Sequence, residues 1–212
     1  MKNINFINFF FLLFFINFVF LNVEANIENK IIVKVGNIIL TSTDLKNEII
    51  TNLVLDKKEI NQVNINSMKS FAIKNLISKT IKRMEIDRYK IKDFNKKDLY
   101  KYLDSVAGSF STNKNGLKKI FVSNEISYDL LVSNKETELL WNTLIYQIYR
   151  NQININIVEV ENEIKIIKED KNEDEIKKIK ENILQVKKQE KLNLFSRSHF
   201  SNLENTITIN FQ

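Results

Sequence analysis

The side chains able to perform catalysis or bind a metal are few in this sequence. It contains one histidine, His199, and no cysteine, so the His/Cys ligand set of a zinc site cannot form. His199 lies one helical turn from Phe195 and Leu203, a spacing that indicates a histidine at the edge of an apolar core. The many acidic residues lie in lysine-rich helical runs, without the apolar surroundings that separate the pKa values of a catalytic acid and base.

Glycines at fixed spacing build the loops that bind phosphate or expose a nucleophile. The 3 glycines of this chain, Gly36, Gly108 and Gly116, are too far apart for such a loop, and neither G-x-G-x-x-G nor G-x-S-x-G occurs. We therefore expect no enzyme activity, no metal site and no cofactor.

The N-terminus carries the features of an export signal. An apolar run, FINFFFLLFFINFVFL, covers residues 6–21, and Val23 and Ala25 occupy the −3 and −1 positions of a small-residue cleavage site. We expect residues 1–25 to be a signal peptide, cleaved between Ala25 and Asn26, and the mature protein to be exported. The alternative is an uncleaved membrane anchor, because the apolar run approaches the length that crosses a bilayer.

The charge balance indicates which partners to expect. The net charge is +6, from 32 basic and 26 acidic residues, and it favours transient proximity to anionic surfaces such as membranes. No arginine cluster with interleaved aromatic residues is present, so we interpret the charge as a solvated lysine-rich surface. Export also argues against DNA or RNA as a partner.

The composition and the apolar patterns predict a mostly α (α+β) fold. The chain has no proline and 3 glycines, so long stretches lack helix breakers. Residues 31–35 and 38–40 are β-branched runs around Gly36-Asn37, which predicts a hairpin. A hairpin alone is marginal in water. We expect the alternating residues 206–211 to pair with it and complete a small sheet.

Apolar spacing predicts the helices that follow the hairpin. The first begins at a cap provided by Ser42 or Thr43, and residues 56–67 read as a polar connection. Residues 153–157 alternate and read either as a strand or as an extended lead-in to the next helix. The remaining helices are expected at 68–89, from Asn95, around 117–121, at about 127–150, and as two helices over 161–203 separated near Lys171-Asn172.

The order of these features is similar to that of a known family. IIVKVGNIILTSTDLKNEI (residues 31–49) matches a characteristic hairpin and capped helix, and LISKTIKRMEIDRYKI (76–91) matches the end of the next helix. LLWNTLIYQIYRNQININIVEVENEI (139–164) and LQVKKQEKLNLFSRSHFSNLENTITINF (184–211) match a long helix with a Trp-x-x-Leu-Ile core and the closing helix and strand. The chain therefore resembles the SurA-type periplasmic chaperones, which escort unfolded outer-membrane proteins.

Two departures from the family pattern limit what the resemblance implies. Family members usually carry parvulin-type prolyl-isomerase domains before the closing helix, but here only about a dozen residues, 165–175, stand where a domain needs upward of ~50. We therefore expect the chaperone core alone: residues 26–164 as the N-terminal chaperone domain, completed by a long helix and strand within 165–212. The second departure is Asn124-Glu125, where the family commonly has a glycine.

The resemblance implies a holdase that binds unfolded outer-membrane proteins, or extended apolar peptides, in an apolar groove without ATP. The residues expected to line that groove, each of which could instead belong to the core, are Phe110, Leu117, Phe121, Trp141, Ile145 and Tyr149. Two alternatives remain: a prolyl isomerase of the same family, and a membrane-anchored interaction protein with one fixed partner.

Overall fold

The computed structural model describes residues 29–167 and 172–212. The predicted signal peptide, with its cleavage site at Ala25 and Asn26, lies outside the described residues. Within them the chain forms seven α-helices and one three-stranded sheet. This confirms the predicted mostly α (α+β) fold.

The sheet joins the two ends of the described chain. Strands β1 (Ile31–Val35) and β2 (Ile38–Thr41) form the predicted hairpin, and β3 (Ile209–Phe211) pairs antiparallel with β1, so the strand order is β2-β1-β3. Gly36 in the turn has a φ of 57°, a left-handed conformation that glycine adopts without steric cost. The predicted pairing of the hairpin with the C-terminal strand is confirmed.

Two helices follow the hairpin and pack against each other. Helix α1 (Ser42–Leu55) is capped by Thr41, not by the predicted Ser42 or Thr43, because Thr41 and Asp44 form a reciprocal capping box. Helix α2 (Gln62–Arg88) begins inside the segment predicted as a polar connection. The Asn61 side chain accepts a hydrogen bond from the Asn64 N–H at 2.9 Å, and this cap allows the helix to start early.

Three further helices complete the central bundle: α3 (Lys96–Ser109), α4 (Lys114–Ser123) and α5 (Tyr128–Tyr149). Asn95 caps α3 as predicted. A short 3₁₀ turn, Arg150–Gln152, ends this part. Residues 153–156 belong to no strand, so the extended lead-in is the correct interpretation of the alternating segment.

The last two helices run from the bundle back to the sheet. Helix α6 (Ile157–Ile167) and helix α7 (Glu173–Thr206) lie against each other, and Asn172 forms a capping box with Glu175 at the start of α7. Asn172 precedes α7 as its cap, which agrees with the predicted break; Lys171 lies outside the described residues. With 34 residues, α7 is about 50 Å long. Its C-terminal part contacts α5 and α2 before β3 closes the sheet.

The apolar core has distinct parts that hold these elements together. One lies among α1, α3, α4 and α5, a second between the sheet and α2, and a third where α5 meets the ends of α2 and α7. In the described part of the chain, no helix is long and apolar enough to cross a membrane.

Four helices end on a residue in the left-handed conformation that usually favours glycine. These residues, each following the C-cap of α1, α2, α3 or α4, are Lys57, Lys90, Ser111 and Glu125, with φ between 53° and 58°. Glu125 belongs to the pair Asn124-Glu125 that departs from the pattern of the resembled family. It adopts the left-handed conformation without the glycine that would make it free of strain.

Candidate functional site

The six residues predicted to bind clients fall into two separate groups. Leu117 and Phe121 are fully buried in the core among α1, α3, α4 and α5, and Phe110 packs against them. Trp141 and Ile145 are 2% exposed in the core where α5 meets α2 and α7, and Tyr149 packs beside them.

The structure therefore does not bring the six residues together in one open groove. In this conformation four of them form the core, which was the other interpretation of their helical spacing. Trp141 donates its indole N–H to Ser196 Oγ at 2.8 Å, and the ring of Tyr149 stacks on that of Phe195 with centroids 4.7 Å apart. These contacts attach α7 to α5.

His199 belongs to a buried polar chain that links three helices. Its Nε2 lies 2.8 Å from Glu85 Oε1 on α2, and its Nδ1 lies 2.9 Å from the Tyr149 hydroxyl on α5. The imidazole is 13% exposed. Because both ring nitrogens have partners, the geometry confirms the prediction of a satisfied histidine at the edge of the core.

The surroundings of this hydrogen-bonded group shift the pKa values of Tyr149 and Arg88. Burial raises the pKa of Tyr149 above its ordinary value, and the neighbouring Tyr89 and Glu85 raise it further. Arg88 donates a hydrogen bond to Glu85, and this bond raises the pKa of Arg88. The carboxylate of Glu85, the imidazole of His199 and the phenol of Tyr149 form hydrogen bonds with one another. We therefore interpret this arrangement as structural.

The sequence did not reveal that two carboxylates are buried. Glu85 is 4% exposed and Glu48 is 1% exposed, which corrects the expectation that no carboxylate is desolvated. Both oxygens of Glu48 accept hydrogen bonds from Lys79 Nζ, at 2.8 and 2.7 Å. A buried carboxylate needs such partners, and the partner of Glu48 lies on another helix.

The best candidate for a binding site is an apolar cleft among α1, the start of α2 and the end of α4, which we call the α1–α2–α4 cleft. Its volume is about 570 Å³. Its apolar walls consist of Leu45, Ile49, Ile50, Ile60 and Ile65. Its polar rim consists of Ser42, Lys46, Lys69, Ser123, Asn124 and Glu125.

The charges at the rim are partly compensated. Lys46 Nζ lies 3.7 Å from Glu125 Oε2 across the cleft, and both side chains are exposed, so this ion pair contributes little to stability. Lys69 is exposed and forms no ion pair with the described residues. The rim therefore carries one uncompensated positive charge beside an apolar wall.

Sequence reasoning missed this cleft because its walls come from three segments. Ile49 and Ile50 lie on α1 and are largely buried. Ile60 and Ile65 lay in a segment interpreted as a polar connection. The available signal was the recurrence of Ile60, Val63 and Ile65 in that segment, which is unusual for a solvated loop.

Sequence comparison adds no identification. No protein-family model matches this chain, and no curated protein matches it. Within residues 29–167 and 172–212, no group of three or more histidine or acidic side chains is arranged to hold a metal ion.

Proposed function

We propose that the mature chain is a periplasmic, ATP-independent holdase that binds unfolded outer-membrane proteins. The proposal starts from the resemblance in element order to SurA-type chaperones. The observation that carries it is the α1–α2–α4 cleft, an open apolar cleft of about 570 Å³ with a polar and charged rim. Pockets of roughly 300–1,000 Å³ accommodate small apolar ligands, so this cleft has room for a few client side chains.

The chemistry of the cleft suits such clients. Strands of an outer-membrane barrel carry apolar side chains at alternate positions, and these are exposed until the barrel folds. Aliphatic walls bind side chains of many shapes without sequence specificity. Ile60 is 42% exposed at the mouth of the cleft, which gives a client an apolar surface to contact before any rearrangement.

The positive rim adds a weak long-range attraction. Lys69 leaves a net positive charge at the cleft, and the whole chain carries +6. Acidic segments of a client would be drawn to this surface over a range of about 8–10 Å at physiological ionic strength. We therefore expect binding to weaken as salt is added, while the apolar contacts persist.

Two of the residues predicted from sequence hold in place a helix that borders the cleft. Leu117 and Phe121 anchor α4 in the core, and the residues that follow α4 border the cleft. Direct contact between a client and Phe110, Leu117, Phe121, Trp141, Ile145 or Tyr149 stays a prediction.

A matched pair of variants tests the cleft. Ile60 lines it, whereas Val63, which is 77% exposed nearby, does not. We expect Ile60→Asp to weaken binding of an unfolded barrel protein about tenfold, and Val63→Asp to bind like the wild type. Binding would be followed by fluorescence anisotropy of the labelled client. Equal affinities for both variants would contradict the assignment of the cleft.

A further inference from the structure

The phase of the β-ladder, meaning which alternate residues of β1 bond to β2 and which to β3, determines which backbone groups of the sheet have no partner strand. The Gly36 N–H donates to the Thr208 carbonyl at 2.9 Å, and the Gln212 N–H donates to the Ile32 carbonyl at 3.0 Å. In an antiparallel ladder, alternate residues of a strand bond to the same neighbour. Even-numbered residues of β1 therefore bond to β3, and odd-numbered residues bond to β2.

This phase leaves one residue of β2 with its backbone directed outward. Val33 pairs with Leu40 and Val35 pairs with Ile38, so these are the hydrogen-bonded pairs of the hairpin. Ile39, between them, directs its backbone N–H and C=O away from β1. β2 is an outer strand of the sheet, and no other strand of the described chain covers that edge.

The edge of β2 carries neither a charged residue nor a proline, two of the features that prevent strand addition, although the strand has only four residues and its ladder with β1 has a register shift between Ile31 and Val33. Proteins protect exposed edges with charged residues, proline, bulges or very short strands. β2 reads Ile-Ile-Leu-Thr, and Ile38 and Ile39 are 41% and 49% exposed. The opposite edge is formed by β3, which has only three residues and includes Asn210.

A cavity of about 370 Å³ lies beside this edge. Its lining includes all three apolar residues of β2 together with Leu76, Met84 and Leu130 from α2 and α5. The buried Glu48–Lys79 pair also borders it, with both charges already satisfied by each other. A strand placed against β2 would direct every second side chain toward this cavity and the others toward solvent.

We propose that the open edge of β2 binds an extended client segment as an added fourth strand, with alternate apolar side chains entering the neighbouring cavity. This inference rests on the proposed holdase function and gives it a mode of recognition. Backbone hydrogen bonds are independent of sequence, and the alternation required is that of an unfolded barrel strand.

The dimensions of the edge favour a peptide over a second copy of the chain. Four residues span about 13 Å, and the Thr41 N–H is already used by Asp44. Such an edge buries far less than the ~800 Å² per partner of a stable protein–protein interface. It suits one of several weak contacts along a client.

Methylated peptides test the inference on the unchanged protein. The probe is a fluorescein-labelled peptide of about ten residues, the length of a barrel strand, with valine or phenylalanine alternating with serine. In an extended peptide, alternate N–H groups point to opposite edges. N-methylation of the serine residues therefore removes the donors of one edge, and N-methylation of the apolar residues removes those of the other. We expect one pattern to weaken binding about tenfold and the other to leave it nearly unchanged.

A matched pair of protein variants locates the edge. Ile39→Pro removes the outward N–H without breaking the bonds between β1 and β2, and Phe211→Pro does the same at the opposite edge. We expect Ile39→Pro to lose about tenfold in affinity for the unmethylated peptide and Phe211→Pro to bind like the wild type. Circular dichroism of both variants verifies that the helices are intact.

The outcomes separate this inference from the proposed function. Peptide binding that is insensitive to both methylation patterns and to Ile39→Pro, but sensitive to Ile60→Asp, would overturn the edge and preserve the holdase. A concentration-dependent dimer that Ile39→Pro abolishes would also overturn it, because the edge would then be an interface between copies. No peptide binding by the wild type would contradict both.

Discussion

His199 and Glu85 lie 114 residues apart in the chain, yet Nε2 of the histidine is 2.8 Å from Oε1 of the carboxylate. The contact joins the C-terminal part of α7 to the end of α2. Tyr149 extends it to α5 through the other ring nitrogen. One side chain on α7 therefore satisfies polar groups on two helices of the bundle.

Replacing His199 should destabilise the fold. His199→Phe retains an aromatic ring beside Trp141, whose ring centroid is 5.6 Å away. Among the described residues it leaves Glu85 with only Arg88 as a side-chain hydrogen-bond partner. A buried acceptor that loses a hydrogen bond costs about 1–3 kcal/mol. We expect a decrease of that size in the free energy of unfolding, measured with urea. Arg197→Gln, at an exposed position of the same helix, is the control, and an equal effect there would refute the prediction.

Glu125 should be a site of backbone strain. Its φ is 58°, and glycine adopts this conformation without the penalty that a Cβ brings. Glu125→Gly should therefore stabilise the protein by about 0.5–1 kcal/mol. Glu125→Ala removes the same ion pair with Lys46 but keeps the Cβ, so it should not stabilise. If both variants unfold at the same urea concentration, strain at this position is not the cause.

The C-terminal strand should hold the whole fold. Ile207 and Ile209 pack into the core between the sheet and α2, and β3 supplies one side of the pairing of β1. Deletion of residues 207–212 should lower the free energy of unfolding by about 2–3 kcal/mol, because two partly buried isoleucines and the pairing of β3 with β1 are lost. Phe211→Ser, at a side chain 67% exposed, should have little effect. Unchanged thermal unfolding of the deletion variant would show that the sheet does not clasp the domain.

The contact between α6 and α7 should weaken in acid. Lys187 donates hydrogen bonds to Glu159 and Glu163, each at 2.7 Å. The bond to Lys187 lowers the pKa of Glu159 below its ordinary 4.5, and bonds from Glu159 and Glu163 raise the pKa of Lys187 above 10.5. A carboxylate with a lowered pKa stabilises the folded state above its ordinary pKa, and this stabilisation is lost as pH falls through the lower value.

Hydrogen exchange measures this pH dependence. At neutral pH the amides of α6 should be better protected in the wild type than in Glu159→Gln, and the difference should vanish in strong acid. Glu161→Gln, an exposed position on the same helix, should match the wild type throughout. A difference between wild type and Glu159→Gln that persists in strong acid, after the lowered pKa of Glu159 has been passed, would contradict the assignment.

The parts of the fold that follow from local sequence could be predicted. β-branched runs around Gly36 predict the hairpin, and the alternation at residues 206–211 predicts its third strand. Asn95 and the break near Asn172 were also recognisable, because capping residues act within one helical turn. The early start of α2 was missed because asparagine both caps helices and populates polar loops.

The parts that depend on distant residues could not be predicted. The partners of Glu48 and Glu85 lie on other helices, so no local pattern shows that these carboxylates are buried. Trp141 and Phe121 have the periodicity of an apolar stripe, which is the same for a core and for a groove. The α1–α2–α4 cleft forms only when three separate segments come together. The open edge of β2 depends on which residues of β1 bond to each neighbouring strand.

The most direct test of the holdase proposal is light scattering from an unfolded outer-membrane barrel protein diluted out of urea. The mature chain, from Asn26, would be added in several-fold excess without ATP. We predict that scattering is suppressed, and that Ile60→Asp suppresses it less well than Val63→Asp. Aggregation that proceeds at the same rate with and without the wild-type chain would contradict the account.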